Sequence, residues 1–212
     1  MAFKTLFIDL DDTLYPPSTG IGGAIGDRID LYMVEKLKLP PEQVPELRRR
    51  LFRTYGTTLR GLEITLHIDP VDYLDFVHDV PVAQILQPDE KLHEVLSSLP
   101  QRKVILTNAD QKHALRVLTA LQITDCFDQI INILDISPYC KPQPDAFESA
   151  LRLAGECNAG QCVLVDDGLQ NLAAAHMLGF HAIRVGSAEI LPEYDAGIAC
   201  IHELPNAIEK LL

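Results

Sequence analysis

The stretch Phe7-Ile8-Asp9-Leu10-Asp11-Asp12-Thr13-Leu14-Tyr15 decides how the rest of this chain is interpreted. Residues 3–8 are apolar and aromatic enough to predict a buried strand, and three carboxylates follow where that strand would end. Ligands of open α/β sheets bind at the carboxyl edge of the strands. Because like charges this close together are unfavourable unless a cation or a reaction uses them, the stretch indicates a functional site. The alternative is a polar turn.

Short apolar segments along the chain predict the rest of the sheet. They cover residues 103–107, 129–134, 162–166 and 181–185, with a weaker one at 198–201. Helical patterns alternate with them, as in residues 143–154, where Pro144 suits the first helical position and Gly155 the end. This alternation predicts a Rossmann-like α/β fold, with a parallel, doubly wound sheet.

A long segment between the first two predicted strands contains no comparable strand. Asp69-Pro70-Val71-Asp72 has the chemistry of a helix start, and Pro40-Pro41 separates two further helices. We therefore predict a helical cap over residues 16–85, standing above a core made of residues 1–15 and 86–212. The alternative is an ordinary series of helices packed on one face of the sheet.

Composition limits the classes of protein to consider. The chain has 212 residues, of which 47% are hydrophobic and 23% charged, so a substantial core can be buried. Its net charge of −12 argues against nucleic acid polymers and anionic membranes as partners. Five cysteines without Cys-x-x-Cys spacing indicate ordinary thiols in a reducing compartment. No signal-peptide pattern or apolar run of roughly 20 residues is present, so we expect a cytoplasmic protein.

Four polar segments follow predicted strands or loops at the same edge of the sheet: Asp9 to Thr13, Thr107-Asn108, Lys141-Pro142 and Asp166-Asp167. Phosphoryl transfer through an aspartate requires a carboxylate nucleophile and a divalent cation that screens its repulsion from phosphate. It also requires a second carboxyl as acid and base, and donors that hold the phosphate oxygens. The chain offers each of these parts at this edge.

In this order, the segments resemble the motifs of the haloacid dehalogenase-like superfamily of phosphohydrolases. The motif Asp-x-Asp-x-Thr is followed in that family by a hydroxyl residue, a lone lysine and an acidic pair. The matching residues here are Asp9, Asp11, Thr13, Thr107, Lys141, Asp166 and Asp167. The resemblance extends over essentially the whole chain, including the position of the helical cap.

The resemblance implies a phosphatase that forms an aspartyl-phosphate. Asp9 would attack phosphorus, and Asp11 would protonate the leaving oxygen and later activate water. Lys141 would balance charge in the site, and Thr107 and Asn108 would bind the phosphate.

The resemblance also implies Mg²⁺ as the cofactor. Asp9, the main-chain carbonyl of Asp11 and the acidic pair would hold it, with Asp167 as the better direct ligand and Asp166 contributing directly or through a water. Many relatives carry a second acid four residues after the pair, whereas this chain has Asn171.

A closer similarity is to the pyrimidine 5′-nucleotidase branch, which begins with a stretch like Asp9–Pro16. Residues 55–62, 67–69, 72–78 and 107–110 also resemble that branch. This similarity implies a small phosphorylated metabolite as the partner, most closely a nucleoside 5′-monophosphate. Arg60, in what reads as a glycine-flanked loop of the cap, is the candidate to reach the leaving group; the alternative is a solvated arginine.

Other functions must be weighed against this one. A phosphatase of another small ester or a phosphosugar mutase would use the same motifs, and a mutase would retain the phosphate on its product. A haloacid dehalogenase needs no second acid to protonate a halide, so Asp11 and Asp167 count against it. A receiver-type signalling module places its acid pair before a separate phosphoacceptor, and a non-catalytic interaction protein would not need all four motifs. The sequence leaves substrate identity and oligomeric state open.

Overall fold

The computed structural model describes residues 3–212, and a single parallel sheet forms its centre. Its six strands are β1 (Thr5–Ile8), β2 (Arg102–Leu106), β3 (Gln129–Ile131), β4 (Cys162–Asp166), β5 (His181–Val185) and β6 (Ala196–Ile198). They lie in the order β3-β2-β1-β4-β5-β6, and each neighbouring pair is parallel. The predicted Rossmann-like α/β fold is confirmed.

Helices connect the strands within residues 3–212, except between β5 and β6. They are α1 (Ile21–Glu35), α2 (Val44–Tyr55), α3 (Thr58–Leu66), α4 (Pro70–Val77), α5 (Val82–Ile85), α6 (Glu90–Ser98), α7 (Gln111–Leu121), α8 (Pro144–Ala154), α9 (Leu169–Met177) and α10 (Leu204–Leu211). The helix predicted over residues 143–154 is α8, and it ends at Gly155 in the left-handed conformation. Asp69 is the N-cap residue of α4, as predicted, and its side chain accepts hydrogen bonds from two backbone N–H groups.

The central strand β1 fixes where the functional residues meet. All four of its residues are buried, with Leu6 and Ile8 packing into one apolar layer and Phe7 into the layer on the other face. Ile8 pairs with Ile105 of β2 and with Val165 of β4. The strand order reverses between β1 and β4, which is where ligands bind in such sheets. The residues that follow β1, β2 and β4 therefore lie side by side.

Four predicted strands differ from the structure at their ends: β1 begins at Thr5, β2 is shifted by one residue to Arg102–Leu106, and β3 and β6 differ more. β3 stops at Ile131 because Asp135 accepts a hydrogen bond from the backbone N–H of Asn132, and the chain turns there. The weak strand predicted over residues 198–201 lies earlier, with Ile198 as its last residue.

Helices α1 to α4 lie between β1 and β2 and share an apolar cluster, which Ile133 and Cys140 from the segment after β3 complete. It contains buried residues from each of the four helices, such as Met33, Leu51, Leu62 and Leu74. Leu14 and Leu86, near the two ends of this insertion, pack instead into the core beneath the sheet. Ile21, Val80 and Val82 of the insertion also pack into that core, so the division into a core and a cap at residues 16–85 stays a proposal. Within residues 3–212, the helices are too short or too polar to cross a membrane.

Candidate active site

Five of the residues predicted at the carboxyl edge of the sheet line one cavity of about 650 Å³. Its floor is formed by side chains that follow β1 and β2 and by the segment before α8, and the cap helices α1 and α2 form part of its wall. The predicted residues in its lining are Asp9, Asp11, Thr107, Asn108 and Lys141.

Lys141 is the central charge of the site. Its side chain is 1% exposed, and Nζ lies 2.8 Å from Asp9 Oδ1 and 2.7 Å from Asp166 Oδ2. Burial lowers the pKa of Lys141, but the charges of Asp166 and Asp9 outweigh burial and raise the pKa above its ordinary value. The ammonium therefore stays charged and links the carboxylate after β1 to the one that ends β4.

Asp166 is fully engaged by donors from the protein. Besides Lys141, its carboxylate accepts hydrogen bonds from the backbone N–H of Gly168 at 2.8 Å and from Asn171 Nδ2 at 2.9 Å. Asn171, which stands where many relatives carry an acid, thus supports Asp166 instead of adding a charge. The geometry favours Asp166 as the residue that fixes Lys141 and leaves Asp167 as the freer carboxylate.

Asp167 lies beside this pair in an acidic environment. Burial, followed by the charges of Asp166 and Asp12, raises the pKa of Asp167 to about 6. Its nearest polar partner is the Thr13 hydroxyl, at 3.4 Å from Oδ1. A nearby cation would stabilise the charged form of Asp167, which burial and the neighbouring carboxylates disfavour.

Three carboxylates together fit a divalent cation. Oxygens of Asp9, Asp166 and Asp167 lie within 4.8 Å of one another. Burial raises the pKa of Asp9 well above its ordinary value; Lys141 opposes this shift and Asp166 adds to it. Three carboxylates against one ammonium leave a formal charge of minus two, and oxygen ligands suit Mg²⁺. The carboxylate of Asp11 is not part of this group.

The Asp11 side chain is held by two other residues. Its Oδ1 accepts hydrogen bonds from the hydroxyl of Tyr15 and from Nε2 of His113, the latter at 2.8 Å. Burial raises the pKa of Asp11, but the hydrogen bond and charge of His113 and the hydrogen bond of Tyr15 outweigh it, so the net shift is downward.

Sequence reasoning assigned no role to His113, Tyr15 or His78. The structure stacks the rings of His78 and His113, with centroids 4.5 Å apart, and pairs His78 with Asp110. The one feature of the sequence that pointed to His113 is its position in the first turn of α7, three residues after the N-cap residue Asp110. That spacing orders the backbone but does not indicate that the ring reaches Asp11.

Thr107 and Asn108 lie at the cavity in different ways. The Thr107 hydroxyl accepts a hydrogen bond from the Ala109 backbone, which leaves its proton for an acceptor in the cavity. The Asn108 side chain instead exchanges two hydrogen bonds of 2.9 Å with the backbone of Lys141. Its backbone N–H makes no hydrogen bond to residues 3–212, so any contact of Asn108 with phosphate falls to that group.

The expectation that Arg60 reaches the leaving group is wrong for this structure. Arg60 lies in α3, not in a loop, and is 2% exposed, so it is not a solvated arginine either. Its guanidinium contacts the carbonyl oxygens of Ile133 and Tyr139 at 2.5 and 2.9 Å and the Glu63 carboxylate at 2.6 Å. Arg60 therefore fastens α3 to the segment after β3 and does not line the cavity.

Residues of α1 to α4 line the side of the cavity that faces the insertion, and α2 contributes more of them than any other of these helices. Arg48 is paired with Asp30, and Arg49 with Glu46. Phe52 is 53% exposed, and Arg53 makes no ion pair or side-chain hydrogen bond with the described part of the chain. Helical spacing of polar and apolar residues predicted the helix but did not show which face meets the cavity.

A family model described as haloacid dehalogenase-like hydrolase matches residues 3–179. The chain belongs to this family.

Individual relatives agree with that assignment. Phosphate metabolism protein 8 of Saccharomyces cerevisiae is 30% identical over 199 residues, which cover 87% of this chain and 62% of that protein. A hydrolase from Pseudomonas syringae has 20% identity and a TM-score of 0.68, with 99% of each chain covered. A HAD phosphatase from Thermococcus onnurineus has 18% identity and a TM-score of 0.63, with 96% of each chain covered. These two structures share the fold.

Membership of this hydrolase family gives the geometry a chemical context. The matched region contains both the insertion and every residue of the Lys141 network, including Asp9 and Asp166. The cavity described above is therefore the candidate active site of a hydrolase of this family.

Proposed function

We propose that this protein is a Mg²⁺-dependent phosphatase that acts through an aspartyl-phosphate on Asp9, with nucleoside 5′-monophosphates as substrates. The observation that carries the proposal is the shared cavity wall of Asp9, Asp11 and Lys141, with Asp9 bonded to a buried ammonium. A carboxylate nucleophile, a separate acid and a fixed positive charge are the parts that phosphoryl transfer requires.

Asp9 is the nucleophile of the proposed reaction. Its Oδ1 is bound to Lys141 at 2.8 Å, while Oδ2 makes no hydrogen bond to residues 3–212. Oδ2 attacks phosphorus, and the bond between phosphorus and the leaving oxygen breaks. Lys141 stabilises the charge that accumulates around the phosphoryl group.

Asp11 moves the protons. In the first step, its carboxylic acid gives a proton to the departing alkoxide. In the second, the resulting carboxylate takes a proton from water, which attacks phosphorus, and the bond from Asp9 breaks to release inorganic phosphate. Asp11 ends protonated, ready for another cycle.

The cation would be held by Asp9, Asp167 and the main-chain carbonyl of Asp11, where it would reduce the repulsion between the nucleophile and phosphate. Asp166 is assigned to holding Lys141, because its oxygens already accept from Lys141, Gly168 and Asn171. Thr107 and the backbone N–H of Asn108 are assigned to the phosphate oxygens.

The proposed leaving group is a nucleoside. A cavity of about 650 Å³ is much larger than a phosphate needs and suits a small metabolite. Phe52 offers an aromatic face on which a base can stack, and Arg53 offers donors for base carbonyls or ribose hydroxyls. These contacts come from the proposed cap and support the similarity to pyrimidine 5′-nucleotidases.

A substrate panel tests the proposal. We expect release of inorganic phosphate from uridine and cytidine 5′-monophosphates in the presence of Mg²⁺, and its loss on chelation. Sugar phosphates and 2-haloacids serve as comparisons. Phosphate recovered on an isomerised sugar would identify a mutase, and chloride released from a 2-chloroacid would identify a dehalogenase; either result would refute the assignment.

A further inference from the structure

The Asp11 carboxylate has two oxygens in different surroundings. Oδ1 accepts from both Tyr15 and His113, whereas Oδ2 makes no hydrogen bond to residues 3–212. The side chain is 27% exposed and lines the cavity, so Oδ2 is the oxygen available to a substrate. Because Oδ1 already accepts two donors, a proton on Asp11 is directed to Oδ2.

The donor on His113 is defined by its surroundings. His113 is completely buried, and its Nδ1 has no hydrogen-bond partner in the described part of the chain. A carboxylate only accepts hydrogen bonds, so the proton of the contact with Asp11 lies on Nε2.

Asp110 and His78 hold the His113 ring in place. Asp110 Oδ1 accepts from the His113 backbone N–H at 2.8 Å, and Oδ2 lies 2.5 Å from His78 Nδ1. The His78 ring then stacks on His113 at an interplanar angle of 19°. Buried polar groups this well partnered rigidify their neighbours. His78 directly follows α4, so the stack connects the helical insertion to the residue that contacts Asp11.

We propose that His113 is a positioning residue for the acid–base carboxylate. Together with Tyr15 it holds Asp11 Oδ1, so that Oδ2 presents the proton to the leaving oxygen, and His78 of the insertion keeps the His113 ring in register. This inference rests on the proposed phosphatase function and extends it to residues that do not touch the substrate.

The test compares two replacements of His113. His113→Gln keeps an amide donor at the reach of Nε2, whereas His113→Leu fills the space without a donor. Each is assayed with uridine 5′-monophosphate, whose alkoxide needs a proton, and with 4-nitrophenyl phosphate, whose leaving group hardly needs one. General acid–base catalysis contributes roughly 10²–10⁴-fold, so loss of its alignment should remove about 10-fold or more.

We expect His113→Leu to lower kcat for the nucleotide by about 10-fold or more at unchanged KM, with a much smaller change for the aryl phosphate. His113→Gln should restore most of the nucleotide rate. Equal losses on both substrates, or no rescue by glutamine, would overturn the proposal and leave His113 a packing residue.

A second variant covers the case in which His113→Leu does not fold. Tyr15→Phe removes the other donor to Oδ1 with little change in shape, and the same selective loss on the nucleotide is expected. An unselective loss, or none, would contradict the assignment of Oδ1. A wild-type protein that releases phosphate from neither substrate would refute the proposed function itself, which is a different result. His67→Asn, an exposed histidine of the insertion, is the matched control.

Discussion

Lys141 illustrates how one residue can organise a site made from distant parts of the chain. Its ammonium joins Asp9, which follows β1, to Asp166, which ends β4, and Asn171 completes the coordination of Asp166. Breaking a buried ion pair by removing one partner is strongly destabilising, because the other charge stays uncompensated. The network therefore ties the catalytic arrangement to the stability of the sheet.

Asp9→Asn tests the nucleophile. An amide cannot attack phosphorus, so activity should fall more than about 10²-fold. The unfolding temperature should not fall, since burial disfavours the charged carboxylate that is removed and Lys141 keeps its ion pair with Asp166. Phosphate release and thermal unfolding measure the two effects.

Asp12→Asn is the matched control for that variant. Asp12 has a φ of 60°, a conformation that asparagine tolerates, and the same charge is removed within the same loop. A comparable loss of activity in both variants would show that the effect of Asp9→Asn is not specific to a nucleophile.

At the level of single helices, sequence reasoning predicted where helices begin and end but not which distant residues their side chains contact. The N-cap at Asp69 and the end of α8 at Gly155 were predictable because they depend on adjacent residues. The role of Arg60 was not, because its carbonyl partners Ile133 and Tyr139 lie 73 and 79 residues away. The ring of His113 escaped prediction for the same reason, since its contact with Asp11 joins α7 to the loop after β1.

The exposed face of α2 gives a prediction about selectivity. Phe52→Ala and Arg53→Gln should each raise KM for nucleoside monophosphates, by about 5-fold or more if a contact of roughly 1 kcal/mol is lost. Turnover of 4-nitrophenyl phosphate should change little, because only binding of the remote group is removed. Steady-state kinetics on both substrates measures this.

Arg50→Gln is the control for the α2 variants. Arg50 is exposed on the same helix and does not line the cavity, so its replacement should leave both substrates unaffected. An equal effect of the Arg50 and Arg53 variants would indicate general electrostatics, not a contact with the leaving group.

Arg60→Ala should act on stability. It leaves the carbonyl groups of Ile133 and Tyr139 and the carboxylate of Glu63 without their partner, which should cost about 3 kcal/mol or more. For a chain of this size the unfolding temperature should fall by roughly 6–12 °C, as measured by calorimetry. A selective rise in KM with unchanged stability would instead return Arg60 to the substrate site.

At the scale of the whole molecule, the parallel sheet and its polar edge followed from the sequence, whereas the order of the strands did not. The strands predicted from residues 3–8, 103–107 and 162–166 are the three that meet at the site. The sequence could not predict how the helical insertion packs on the core, because this packing depends on long-range contacts. The proposed boundary at residues 16–85 needs a test by limited proteolysis.

The stability of the protein at acid pH depends on the contact between Asp110 and His78, which connects the core to the insertion. Burial would raise the pKa of Asp110, but the hydrogen bond and charge of His78 and the backbone hydrogen bond of His113 lower it to about 2. A folded-state pKa below the unfolded one contributes stability above about pH 4, which is lost as the pH falls towards 2.

We therefore expect Asp110→Asn to be less stable than the wild type at neutral pH, with the difference shrinking between about pH 4 and 2. Asparagine is as good an N-cap as aspartate, so the cap of α7 is kept and the change isolates the carboxylate. Urea unfolding across this pH range measures the difference. A difference that does not depend on pH would mean that the charge of Asp110 contributes nothing.

The stack of His78 on His113 has a consequence for building chimeric enzymes from this family. Exchanging the insertion is an obvious way to graft a new substrate preference onto an existing catalytic core. A crossover point placed after residue 78 would replace His78 with a residue of the donor enzyme. The ring of His113 would then lose its stacking partner, which would weaken its hydrogen bond to Asp11. A graft that ends before His78, and keeps Tyr15 on the recipient side, would transplant the specificity surface of α2 while the donors to Asp11 Oδ1 stay native.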